Sequence, residues 1–288
     1  MGFSHKKLIR TVFFLLLAGA ISAGPGGESY CEGANLCVEI RRHRDFHELW
    51  IENLTPGHLS VTLYFTRWVK VHSVPELGRH EKYPAWSSVV PGGKKTLGPR
   101  IYTTQKGADY YFMFSYGFGK ADGKYDEKYI YELPYPKGKE YMVYQGSGGV
   151  THQGEHYHAV DFGLPEGESI LAARAGVVVE VRDGDEGCGM KEELKKTTNL
   201  IRIEHGDGSI GSYEHIQKGG ARVKAGERVE AGTLLGLSGN VGYGSCDAHL
   251  HFGVYAPLDA FRRRSLPLRF KTAGGVKAPQ RGQVWKRN

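Results

Sequence analysis

Apolar side chains in the first half of this chain recur at every second position, and a period of two is buried on one side by a β-strand. Val61, Leu63 and Phe65 alternate with Ser60, Thr62 and Tyr64, and Tyr110, Phe112, Phe114 and Tyr116 repeat the pattern. Turn signals punctuate these runs at Thr55-Pro56-Gly57, Pro91-Gly92-Gly93 and Ala121-Asp122-Gly123. Helical periodicity is almost absent, so the chain is expected to be all-β.

Several short strands with such punctuation over residues 30–145 predict a small immunoglobulin-like β-sandwich. Its tyrosines, including Tyr125, Tyr129, Tyr131, Tyr135 and Tyr141, are explained most cheaply by core packing. Residues 146–149, Gly-Ser-Gly-Gly, have the composition of a flexible linker. Beyond it a second unit is expected over 150–257, again of strands: 176–181, then 199–205 joined to 209–215 through the hairpin signal Gly206-Asp207-Gly208. The segment 184–198 interrupts this rhythm with a charged tract and reads as an inserted loop holding Cys188. Residues 258–288 form a basic C-terminal extension: after Asp259 come nine Lys/Arg and no Asp or Glu.

The N-terminus predicts the compartment. Lys6, Lys7 and Arg10 precede an apolar core at 11–20, and small residues follow at Ala18, Ala20 and Ala23. Residues 1–23 therefore read as a cleavable signal peptide, too short in its apolar core for a membrane anchor. Ala20 stands where a lipoprotein would carry its acylated cysteine, so the exported protein is expected to be unlipidated and periplasmic or secreted. No other stretch is apolar enough to cross a membrane. Four cysteines, Cys31, Cys37, Cys188 and Cys246, suit an oxidising compartment and allow three pairings. Cys31 with Cys37 would close a small local loop, and Cys188 with Cys246 would tie the inserted loop to the segment before His249. Three of the charges in the formal +7 belong to the signal peptide, which leaves the rest mildly basic. The basic C-terminus would reach anionic wall polymer or lipid headgroups by electrostatic attraction. No nucleic-acid motif is visible, and a monomer is expected.

Chemistry concentrates in five residues: His152, Asp161, His215, His249 and His251. In His249-Leu250-His251-Phe252 the two histidines lie two apart, so on a strand both face the same way while Leu250 points into a core. A hydrolytic zinc site needs three His/Asp/Glu ligands and an open fourth position. By contrast, His43, His47, His58, His72 and His80 lack ligand spacing and read as structural.

The segments Thr151 to Phe162 (THQGEHYHAVDF), AARAGVVV from Ala172, NLIRIEHGDGSIGSYEHI from Asn199, VKAGERVEAGTLLGLSGN from Val223 and AHLHFGV from Ala248 resemble the lysostaphin-type zinc endopeptidases. The resemblance covers about 148–256. It implies His152, Asp161 and His251 as zinc ligands, His215 and His249 as catalytic imidazoles, and peptide bonds of bacterial peptidoglycan as substrate. One departure concerns the first ligand. Many members place it four residues before the Asp, where this chain has Tyr157 flanked by His156 and His158. Thr-His-x-Gly begins the family's longer loop variant and favours His152, with His156 the alternative. His158 is disfavoured, since on a strand it would face away from Asp161.

Two imidazoles and one carboxylate leave a zinc site near +1, so a bound water ionises near neutral pH, its pKa falling from 15.7 toward about 7. One of the remaining histidines would take the water proton, and the other would stabilise the oxyanion or protonate the leaving amine. Two other classes compete. A non-catalytic wall-binding protein or hydrolase activator of the same family would be expected to lack part of this set. A biotinyl or lipoyl carrier shares the Val-x-x-Gly rhythm near 229–236, but no acceptor lysine stands out on a hairpin.

Overall fold

The structure, a computed structural model, describes residues 28–244 and 246–288. The expected signal peptide lies outside the described residues. Among the described residues no helix is long and apolar enough to cross a membrane, and the only helices are the single 3-10 turns Gly154–His156 and Glu192–Lys195. The chain is all-β.

Two antiparallel sheets form the N-terminal unit. One runs Glu28–Glu32, Leu36–Arg42, Phe46–Asn53, Lys95–Tyr102 and His72–Val74; the other runs Gly78–His80, Tyr83–Val90, Leu59–Val69 and Asp109–Phe118. The alternation read from sequence sets the packing: Val61, Leu63 and Phe65 enter the inter-sheet core with Leu36, Leu49 and Ile51. Ser60 and Thr62 on the opposite face are also buried, because polar partners meet them. Ser60 Oγ donates to Gly119 O at 2.9 Å, and Thr62 Oγ1 lies 2.8 Å from Ser87 Oγ.

The second unit is built on a nine-stranded sheet. Its order is Arg228–Val229, Gly176–Arg182, Leu200–Glu204, Ile210–Glu214, Leu250–Pro257, Val160–Phe162, Glu140–Gln145 and Val284–Lys286, with Arg263–Ser265 paired to Leu250–Pro257. Leu250–Pro257 is buried along its whole length. Leu250, Phe252 and Val254 point into the core, where Phe252 meets Tyr131, Tyr213 and Phe270.

The hydrophobic cores divide the chain differently from the sequence-based partition. Tyr131, Leu133, Tyr135 and Val143, placed by sequence in the sandwich, are buried in the second core. So are Leu266, Leu268, Phe270 and Trp285, which correct the reading of 258–288 as an appended basic extension. Alternation explains this: Arg269 and Lys271 are exposed while their neighbours Leu268, Phe270 and Thr272 turn inward. Nor do residues 146–149 bridge two units; they follow the strand Glu140–Gln145 inside the second unit and line a cleft there.

The two units meet closely. The backbone N–H of His58 donates to Glu204 Oε2 at 2.6 Å, and His58 Nδ1 lies 2.6 Å from Oε1. Gly57 is required at this contact, since a Cβ there would lie 2.3 Å from Val179 Cγ1. Disulfides join Cys31 to Cys37 and Cys188 to Cys246, across sequence separations of 6 and 58. The second lies beside the parallel pairing of Cys188–Gly189 with Gly242–Tyr243 and anchors the inserted loop next to the segment that leads to His249. Chain entropy predicts that the double Cys188→Ser, Cys246→Ser variant loses about 4 kcal/mol and the double Cys31→Ser, Cys37→Ser variant about 2 kcal/mol. Urea unfolding of the two variants measures the difference, and the larger loss is expected from the longer loop.

Candidate metal centre

Strand register builds the site. Gln145 pairs with Asp161, Asp161 with His251, and His251 with Glu214, one transverse row across four strands. Directly paired residues share a face, so these four side chains converge. Gln145 Nε2 donates to Asp161 Oδ2 at 2.7 Å, which turns Oδ1 toward His251 Nδ1 at 2.8 Å. His152 reaches the same oxygen from the loop before the 3-10 turn: its Nε2 lies 3.2 Å from Asp161 Oδ1 while its Nδ1 lies 3.0 Å from Gly146 O.

His152, Asp161 and His251 each offer one ligand atom, and these atoms lie within 4.8 Å of one another. All three residues are buried. His152 Nδ1 faces a carbonyl, which only accepts, so Nδ1 carries the proton and Nε2 presents a lone pair. A lone pair facing a carboxylate oxygen needs a cation or a proton between them. Two imidazole nitrogens and a carboxylate oxygen suit a borderline divalent ion such as zinc. Burial would raise the Asp161 carboxyl, but the bonds from His152 and His251 hold it well below the usual carboxylate range. Burial opposes charge on His251, and Asp161 outweighs it and raises the imidazole above its ordinary value.

The alternative His156 stands apart from this group. Its Nδ1 lies 2.8 Å from the Tyr255 hydroxyl, and its ring centroid is 5.8 Å from that of His251.

His215 and His249 form a second pair, ring centroids 4.4 Å apart, at the edge of the same cleft. Each is held by a carbonyl at Nδ1: Val241 O at 3.1 Å from His215 and Asp247 O at 2.7 Å from His249. In each neutral ring, therefore, Nε2 is the free acceptor. His215 adopts φ +67°, a left-handed conformation costing a side-chain-bearing residue of order 1–3 kcal/mol. Backbone bonds pin it there: its N–H donates to Asn199 O at 2.9 Å, and its carbonyl accepts from Gly239 N–H at 2.8 Å. Burial, then the neighbouring His249 and His251, push its pKa down to about 4. Burial would raise Glu214, but His251, His156 and Arg202 bring it down to about 2.

The cleft has a volume of ≈ 1410 Å³, and among the described residues its lining runs from Tyr144 to Arg281, with none from the N-terminal sheets. One wall joins Gly146–Gly149 to Pro279–Arg281, where a Cβ on Gly146 would lie 2.4 Å from Pro279 O. Sequence reasoning missed Gln145, Glu214, Tyr255 and Arg263, since their place depends on cross-strand register.

Residues 155–262 match the model of the family described as peptidase family M23, a match that begins three residues after His152. The chain is 32% identical over 162 residues to lysostaphin of Staphylococcus simulans, covering 54% of this chain and 29% of that protein. It is 36% identical over 120 residues to the glycyl-glycine endopeptidase ALE-1 of Staphylococcus capitis, covering 41% and 28%. With the peptidoglycan DD-endopeptidase ShyA of Vibrio cholerae it shares 31% over 116 residues, covering 39% and 24%. The aligned regions thus span under a third of the length of these relatives. The chain carries a peptidase domain of the lysostaphin-type M23 family.

The depressed pKa of His215 has a defined sign. The unfolded ring binds a proton below about 6.5 and the folded ring only below about 4, so this stability is complete above pH 6.5 and lost as pH falls to 4. The loss amounts to about 3 kcal/mol. Thermal unfolding of metal-free protein across this range should show the decline, and His215→Asn should flatten it.

Proposed function

We propose that this protein is an exported zinc-dependent endopeptidase that hydrolyses peptide bonds in the stem peptides or cross-bridges of bacterial peptidoglycan. The observation that carries the reading is the convergence of His152, Asp161 and His251 beside the carbonyl-anchored pair His215 and His249, in one cleft. The substrate class rests on the relatives, two of which are called a glycyl-glycine endopeptidase and a peptidoglycan DD-endopeptidase. Export is supported by the two disulfides and by the signal-like N-terminal sequence.

His152, Asp161 and His251 would hold the zinc, which would supply Lewis acidity toward water and the scissile carbonyl. Gln145 keeps the Asp161 carboxylate turned toward the histidines. At neutral pH His215 is uncharged, and with Nδ1 spent on a carbonyl its Nε2 accepts a proton; the Nδ1 of His249 is likewise turned to a carbonyl. The imidazole pair takes the proton of the attacking water and returns it to the leaving amine, so the two rings act as one proton carrier.

Purified protein incubated with defined muropeptides, with and without chelator, tests the reaction by product mass. Cleavage lost on chelation and restored by zinc is expected; cleavage indifferent to chelation would overturn the metal mechanism. Bound zinc with no cleavage of any muropeptide would favour a non-catalytic wall-binding role. His152→Ala should empty the site, while His156→Ala should keep stoichiometric zinc at saturating metal. His215→Ala and His249→Ala should each keep zinc and lose on the order of 10²–10⁴ in kcat, and a fully active double variant would sink the assignment.

A further inference from the structure

The histidine that competes with His152 in sequence has an arrangement of its own. We propose that Glu155, His156 and Tyr255 form a proton-ordering relay that positions His251 and reserves its Nδ1 for the metal. This rests on the metal-centre reading above.

His251, Gly253 and Tyr255 project from one face of Leu250–Pro257. Gly253 lets the Tyr255 phenol lie back along the strand: a Cβ there would sit 2.6 Å from the hydroxyl oxygen and 2.8 Å from Cζ. The ring is 1% exposed and has no room to retreat. Its hydroxyl oxygen is thus placed 3.5 Å from His251 Nε2 and 2.8 Å from His156 Nδ1. On the far side, His156 Nε2 lies 3.3 Å from Glu155 Oε1. Arg263 closes the circuit. Its Nε and Nη2 each donate to Glu155 at 3.2 Å, and its guanidinium carbon lies 4.2 Å from the centroid of the Tyr255 ring.

The direction of each bond follows from the one group that can only accept. With the Glu155 carboxylate facing Nε2, the neutral tautomer of His156 carries its proton there, and in that tautomer His156 Nδ1 is an acceptor. The phenol must then donate to His156, and its lone pair faces His251 Nε2, which carries a proton. His251 Nδ1, the atom that faces Asp161, is left with its lone pair for the metal. A carboxylate thereby sets the tautomer of a ligand through two intermediate side chains, whereas a ligating histidine more commonly meets its carboxylate directly.

Zinc affinity of the full-length protein, measured by competition with a chromophoric chelator, tests the relay without recourse to activity. Tyr255→Phe keeps the ring and removes one oxygen, and His156→Leu removes the acceptor; each should weaken zinc about 10–100-fold. His156→Asn, which retains an acceptor near the Nδ1 position, should bind within about threefold of wild type. A purely structural role for His156 would not yield this rescue. Thermal unfolding of the metal-free variants verifies that the fold is kept. Wild-type affinity in Tyr255→Phe, or equal losses in His156→Asn and His156→Leu, would overturn the relay. If His152→Ala loses zinc while Tyr255→Phe and His156→Leu bind like wild type, the relay alone fails. If His152→Ala binds zinc as wild type does, the metal centre itself fails.

Discussion

The register that sets Asp161 opposite His251 holds the second unit together, and much else depends on it. The same pairing that completes the backbone hydrogen bonds of Leu250–Pro257 puts Leu250 and Phe252 into the core and His251 into the cleft. A slip of one residue would exchange these faces, burying imidazole in hydrocarbon and exposing leucine and phenylalanine. Core burial thus enforces the geometry of the polar row. Loss of a buried aromatic such as Phe252 typically costs about 3–5 kcal/mol, which sets the scale of the force holding His251 in place.

That enforcement is needed because the row is electrostatically expensive. Asp161 is a buried carboxylate, and isolated burial of such a charge would cost several kcal/mol. Gln145 donates to one oxygen, and the other faces His152 and His251 across the space that a cation or a proton must fill. His215 adds local backbone strain on the adjoining strand end. Both costs gather at one side of the sheet, while the opposite face is hydrocarbon.

Much of this was legible in the sequence, for reasons of differing strength. The all-β character and the shared direction of His249 and His251 follow from a period of two, which needs no partner strand to be recognised. His249 lies just outside the regular strand, joined by an isolated bridge to Gly239, and lines the same cleft as His251 from that backbone rather than by strand alternation. Gln145 and Glu214 were not legible, because only pairing with Asp161 and His251 gives them a place. The glycine-rich stretch 146–149 misled, since a site rim that must pass close to Pro279 and Tyr157 asks for the same composition as a flexible tether. Charge misled at the C-terminus: nine basic residues drew attention away from the alternating Leu266, Leu268 and Phe270 beneath them.

The order in which the sheet can assemble follows from where its members lie along the chain. The sandwich closes on residues up to Phe118, all of which precede every member of the metal group. Asp161 must wait for His251, 90 residues later, and Glu140–Gln145 must wait for Val284–Lys286 before its outer edge is covered. A chain delivered N-terminus first therefore carries a folded module well before it carries a working cleft. Whatever chemistry the cleft performs is therefore confined to chains whose last strands have been delivered.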